Sequence, residues 1–134
     1  MKLLLDTHIV LWYITDDQRL PVLSREMINN PENEVYYSMV SLWEVAIKHQ
    51  ISSQRMPVSD ESFSKFADAS GLLCMQLKKE HIAALKTLNR KKEAKEHHDP
   101  FDRMLISQAK QENVLLITHD SALTGYDEAC ILYV

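Results

Sequence analysis

The chain has 134 residues, 46% of them apolar and 25% charged, with a formal net charge of −4. That length suits one domain spanning 1–134 with a real hydrophobic core. The acidic balance argues against a protein that coats itself in nucleic acid, but not against a nucleic-acid enzyme whose acidic site is neutralised by metal. No apolar run approaches the ~20 residues of a membrane span, and no basic leader with a cleavage site opens the chain, so the expected location is the cytoplasm. Two cysteines, Cys74 and Cys130, lie in apolar contexts and read as buried, reduced thiols and not as a disulfide or a metal pair. Two glycines, Gly71 and Gly125, are too few for a dinucleotide fingerprint or a Walker A loop.

Lys2–Leu5 is a continuous apolar run and reads as a strand buried on both faces. It ends at Asp6, and a helix follows from Thr7 to Ile14. Thr15-Asp16-Asp17 breaks that helix. Pro21 suits an early helical position, and Leu23, Met27 and Ile28 give the next helix its apolar stripe up to Asn29-Asn30-Pro31. Glu34–Ser38 is the second strand. The segment S-L-W-E-V-A-I-K-H-Q then reads as a helix, with Ser41 and Glu44 as a capping box. A loop covers Ile51–Pro57. A helix begins at Ser59-Asp60-Glu61, with Phe63, Phe66 and Ala67 inward and Gly71 at its C-terminal end. Leu72–Leu77 is the third strand and Glu80–Leu88 a helix. Asn89–His98 reads as a polar, mostly basic helix end and loop. Pro100 opens a helix running to Glu112, Val114–Ile117 is the fourth strand, a turn reaches Gly125, and Ile131–Val134 is the last strand. Strand alternating with helix implies an α/β fold with a mostly parallel sheet covered on both faces.

In such a sheet, ligands bind at the carboxyl ends of the strands. Asp6, Glu44, Asp102 and Asp120 all fall where strands end and helices begin. Each has a plain reading as a helix cap or a first-turn charge, as does Asp99 before Pro100. For Asp102 that reading is weakest, since the gain is only ~0.3–1 kcal/mol. Together they would repel in one crevice, and serine or asparagine would cap without that cost. A divalent cation is the simplest agent that makes the cluster favourable. Oxygen-only ligands point to Mg²⁺ or Mn²⁺, the usual apparatus of phosphoryl chemistry.

The segments L-L-L-D-T-H-I-V-L-W, S-L-W-E-V-A-I-K, D-P-F-D-R-M-L-I-S-Q-A and L-I-T-H-D together resemble the PIN-domain ribonucleases, with the nearest likeness to VapC-type toxins of bacterial toxin–antitoxin pairs. The resemblance runs in order from Met1 to about Asp120. It implies a three-layer α/β/α domain, Mg²⁺- or Mn²⁺-dependent cleavage of single-stranded or looped RNA, a homodimer, and an antitoxin that wraps the active site. By motif, Asp6, Glu44 and Asp102 match the core acids, Asp120 the more variable fourth acid, and Asp99 an extra acid of the subgroup. Thr7, Ser41 and Thr118 stand where family hydroxyls support the acids. The segment after Asp120, D-S-A-L-T-G-Y, departs from the family by lacking an early aromatic. Hydrolysis by a metal-activated water implies 5′-phosphate and 3′-hydroxyl products.

Other residues read more plainly. His97-His98 suits a solvated loop, because adjacent side chains seldom point at one ion. His119 is open between orienting a phosphate and an ordinary loop role. Arg103 is expected to pair with a neighbouring carboxylate or contact phosphate. The basic run containing Lys86, Arg90, Lys91, Lys92 and Lys95 is a solvated face or a grip on the RNA backbone. Trp12 and Trp43 are expected in core or dimer contacts. The competing readings are a metal-dependent nuclease or phosphatase with another substrate, and a non-catalytic module that docks RNA or a partner.

Overall fold

The architecture follows from three consecutive leucines that bury on opposite faces of one strand. In the computed structural model, which describes residues 1–134, β1 (Lys2–Leu5) sits in the middle of a five-stranded sheet. Leu3 and Leu5 point into one core and Leu4 into the other, and all three are fully buried. Each such burial stabilises the fold by roughly 1.5–3 kcal/mol. β1 therefore has no solvent face, as its unbroken apolar run predicts.

The remaining elements follow in chain order. They are α1 (Thr7–Ile14), α2 (Val22–Asn29), β2 (Glu34–Ser38), α3 (Met39–Ile51), α4 (Asp60–Ala69), β3 (Leu73–Met75), α5 (Lys79–Ala84), α6 (Pro100–Glu112), β4 (Leu115–Thr118) and β5 (Ile131–Tyr133). Short 3-10 turns cover Leu85–Thr87 and Ser121–Gly125. The strand order is β3-β2-β1-β4-β5, and every pairing is parallel. One core packs α1, α3 and α4 residues (Ile9, Val10, Val45, Phe63, Ala67) against Leu3, Leu5 and Ile117. The other packs α6 residues Leu105, Ile106 and Ala109 against Leu4 and Leu116. This is the expected three-layer arrangement. No helix is long and apolar enough to cross a membrane.

The sheet grows outward from β1 in both directions, so the order reverses between β1 and β4. Leu5 pairs with Ile117, and the Asp6 N–H donates to the Ile117 carbonyl at 2.9 Å. A crevice opens where neighbouring strands send their chains to opposite faces. Asp6 and Asp120 stand at its lip.

Several boundaries differ from the sequence reading. The third helix begins at Met39, and Ser38 caps it by accepting the Val40 N–H at 2.9 Å. Ser41 is therefore not a cap and forms no capping box with Glu44. Both lie inside the helix and are buried. β3 is shorter than Leu72–Leu77, with Leu73 and Leu77 exposed on this sheet edge. Pro21 precedes α2 instead of lying within it. Phe66, expected inward, is on the exposed side of α4. Cys74 and Cys130, expected buried, are both free but only partly buried. Gly71 follows Ser70 at the end of α4 with φ +84°. The Leu72 N–H then reaches the Ala67 carbonyl and the Gly71 N–H that of Asp68, closing a Schellman turn.

Candidate active site

Asp6 leaves β1 on a buried turn, 5% exposed. One of its oxygens, Oδ1, accepts the Thr7 N–H at 2.7 Å, and Oδ2 accepts the Thr118 hydroxyl at 2.7 Å. The cap reading of Asp6 is thus correct as geometry, and the hydroxyl from β4 adds a second hold. Burial raises the Asp6 carboxyl above its ordinary range, and the nearby Glu44 charge adds to this against the two hydrogen bonds.

Glu44 reaches the same place from the second turn of α3 and is 4% exposed. The Thr7 hydroxyl donates to Glu44 Oε1 at 2.7 Å and lies 2.8 Å from the Ser41 hydroxyl. Lys48, one turn on, donates to Oε2 at 2.5 Å. Burial pulls the Lys48 ammonium down. The Glu44 hydrogen bond and charge, with the charges of Asp99 and Asp102, more than reverse that and hold it protonated. Thr7, Ser41 and Thr118, expected as supports of the acids, are all buried: Thr7 bonds Glu44, Thr118 bonds Asp6, and Ser41 reaches the acids only through the Thr7 hydroxyl.

The third group comes from α6. Asp99 caps the helix, accepting the Phe101 and Asp102 N–H groups at 2.9 and 3.0 Å. Asp102 projects from the first turn. Its carboxyl is pushed up to about 8 by burial first, then by the charges of Asp6, Asp99, Asp120 and Glu44. The four other predicted acids are therefore all close enough to act on this one. Asp120 is exposed and accepts the Ala122 N–H at 2.9 Å, while its own N–H donates to the Thr118 hydroxyl.

The loop before α6 is not merely solvated. His97 Nε2 lies 3.2 Å from Asp102 Oδ2, and Nδ1 lies 2.7 Å from the Tyr126 hydroxyl. Burial lowers the His97 imidazole, against the pull of Asp99 and Asp120. Arg103 pairs with no carboxylate: it donates to the Tyr126 hydroxyl oxygen at 3.1 Å and to the Leu85 carbonyl. Tyr126 thus joins Arg103 to His97, and His97 to Asp102. His98 is exposed beside Glu96, as expected for a loop residue. His119 stacks on the Tyr133 ring, and its Nδ1 meets the Val134 carbonyl. Trp43 is mostly exposed, with Phe101 edge-on to it, and Trp12 is half-buried between His8 and His119.

Sequence reasoning missed Lys48 and Tyr126 and set His97 aside as a loop residue. Only Lys48 carried a legible signal, its i,i+4 spacing from Glu44. Within the basic run, Lys91, Lys92 and Lys95 are exposed and Arg90 is half-buried on the Tyr126 ring.

The donor set is hard oxygen throughout, the chemistry of Mg²⁺ and Mn²⁺. As the side chains stand, no three carboxylates or imidazoles form a finished coordination sphere. A cation that keeps most of its water and takes one or two carboxylates directly still fits this set. Each oxygen of Asp6 and Glu44 accepts one hydrogen bond and retains a free lone pair.

Among solved structures, the chain is similar to VapBC2 from Rickettsia felis bound to a DNA fragment from the promoter. That match has TM-score 0.69 and 17% identity, covering 100% of this chain and 99% of the other. It is also similar to VapBC-1 from nontypeable Haemophilus influenzae, with TM-score 0.59 and 17% identity over 92% and 93% of the two chains. No curated protein matches it significantly in sequence. The PIN domain matches residues 3–129, nearly the whole chain, and on that ground the chain belongs to the PIN domain family.

Proposed function

We propose that this chain is a divalent-metal-dependent endoribonuclease and the toxin of a toxin–antitoxin pair. The observation that carries the reading is the burial of Asp102 among the charges of Asp6, Glu44, Asp99 and Asp120. A folded protein keeps such repulsion where function uses it. The VapBC identity of both similar structures supports an antitoxin as partner; a homodimer as the working unit is part of the proposal. A cytoplasmic location accords with an RNA substrate.

Asp6, Glu44 and Asp102 would hold Mg²⁺ or Mn²⁺ directly or through water, with Asp120 and Asp99 at the rim. The cation supplies a water of lowered pKa and neutralises charge on the phosphate. The protein's part is positional. Thr7, Ser41, Thr118 and Lys48 fix two carboxylates before substrate arrives, so little reorganisation is left for the reaction. His97 steadies Asp102 from the other side. Water as nucleophile gives 5′-phosphate and 3′-hydroxyl ends.

The test is cleavage of total cellular RNA by purified protein with Mg²⁺ or Mn²⁺, with EDTA, and with Asp6→Asn. Discrete fragments that vanish with EDTA and with the variant are expected. Identical patterns from wild type and variant, or a 2′,3′-cyclic phosphate on the product, would overturn the assignment. RNA binding without any cleavage would favour a docking module instead.

A further inference from the structure

Beside the acids lies a cleft of about 450 Å³ whose lining has the opposite sign. Arg90, Lys95 and His97 line it together with Ser121, Thr124 and Gly125. Its one acid, Glu96, is exposed and turned to His98 at 3.1 Å. The cleft begins where the acidic crevice ends. His97 reaches from it to Asp102, and Ser121 directly follows Asp120.

Arg90 is held there with care. Its guanidinium carbon stands 4.3 Å from the Tyr126 ring centroid, and Nη2 donates to the Lys95 carbonyl. A Cβ at Gly125 would come within 2.7 Å of Nη2 and 2.9 Å of Nη1, so only glycine leaves room for this pose. Nη1 itself is buried and has no hydrogen-bond partner. A buried donor on a charged group without an acceptor is costly, and the fold retains it. That atom is closed to solvent, so Arg90 acts on an anion in the cleft through its charge and through the other atoms that line it.

We propose that this cleft is a phosphate subsite for the RNA backbone, taking a phosphodiester next to the one positioned at the acids, with Arg90 and Lys95 supplying its positive charge. The inference rests on the ribonuclease reading. A stacked, planar guanidinium suits phosphate oxygens, with Lys95 as an added point charge. A base is a poorer occupant, because the Tyr126 ring is only 2% exposed and already covered by Arg90. The proposal also sorts the basic run. Arg90 and Lys95 line the cleft, whereas Lys91 lines a separate depression with Asp127 and Glu128. Such contacts position a strand without reading its sequence.

The experiment measures binding of a fluorescein-labelled, single-stranded RNA 12-mer by anisotropy in EDTA across 50–200 mM salt. Asp102→Asn protein is the parent, so that one repelling charge is removed. Arg90→Met is expected to weaken binding and to flatten the log–log salt slope by about 0.7, one phosphate's worth for a single strand. Gly125→Ala is expected to do the same without deleting any charge, because it displaces the guanidinium. Lys65→Met on α4 serves as the distant control and is expected to leave the slope alone. If Arg90→Met does not fold, Lys95→Met, on an exposed side chain, carries the same reading. Slopes equal to the parent's in the folded variants overturn the subsite, as Arg90 would then only pack. Inorganic phosphate is a second arm: displacement of RNA at concentrations far below the salt series assigns the cleft to free phosphate and overturns the RNA assignment. The readout is binding without metal, so a wild-type chain that fails to cut RNA refutes the ribonuclease reading separately.

Discussion

The two halves of the acidic crevice are built differently. On the β1 and α3 side, Asp6 and Glu44 are almost wholly buried, and every carboxylate oxygen has a donor from Thr7, Thr118 or Lys48. On the α6 and β4 side, Asp99 and Asp120 bond to local backbone N–H groups, and Asp102 has His97 alone as its side-chain partner. The first half is fixed by the fold. The second gathers the repulsion, and Asp102 bears it. Preorganisation and charge storage thus fall to different residues, and substitution separates them.

The largest effect is expected at Asp102. Asp102→Asn is expected to lower RNA cleavage by more than about 100-fold, since removing even an outer-shell group from a metal site often costs 10–100-fold. Its effect on stability has the opposite sign. A carboxyl whose folded pKa is about 8 instead of 3.8 binds more protons folded than unfolded between those values. The stability of metal-free wild type should therefore fall as pH rises from about 4 to 8. Asp102→Asn should flatten that decline and melt higher than wild type near pH 8. Burial raises Asp6 as well, so a weaker slope remains in the variant. Thermal melts in EDTA across this range check the claim, and parallel curves for the two proteins would sink it.

Next in size is the fixed half. Thr7→Val removes the hydroxyl that joins Ser41 to Glu44 and leaves a buried carboxylate oxygen without its donor. A loss of about 1–3 kcal/mol is expected, read from urea denaturation without metal. Activity should fall with it, because Glu44 loses one of its two anchors. A variant as stable as wild type would show that Glu44 is not held by Thr7, and the contrast between the halves would disappear.

This contrast also governs what the sequence revealed. The sheet was legible because Leu3, Leu4 and Leu5 leave β1 no solvent face, and the alternation of strands and helices then dictates parallel pairing. The acids were legible because they recur at strand ends and helix starts. Their cap readings and their convergence are both present: Asp6, Asp99 and Asp120 each accept a helix or turn N–H. The S-x-x-E at Ser41 misled, since Ser38 already caps α3 and leaves Ser41 and Glu44 inside it. The path from Arg103 through Tyr126 and His97 to Asp102 was not legible. His97 and Tyr126 are 29 residues apart in sequence, and only the packing of the 3-10 turn against α6 joins them.

The smallest expected effect on stability is at Lys48, and it bears on how the fixed half tolerates a cation. Its contact with Glu44 is short, but the lysine side chain is 42% exposed and the bond only part-buried, so water can take the place of the ammonium at Oε2 as it cannot at the enclosed Thr7 contact, and such an i,i+4 pair is worth at most about 1 kcal/mol. Lys48→Met should therefore shift stability by less than that. Its effect on metal should be clearer. Lys48 is the cation closest to Glu44, and the charges of Asp99 and Asp102 act on it too. An arriving divalent cation meets this resident positive charge, so removing it should tighten Mn²⁺ binding by roughly threefold to tenfold, as expected for a nearby like charge partly screened by solvent. Manganese titration followed by electron paramagnetic resonance reads this without any cleavage assay. Weaker Mn²⁺ binding in the variant would instead make Lys48 a clamp that aims Glu44, and preorganisation of that carboxylate would depend on charge as well as on the Thr7 hydroxyl.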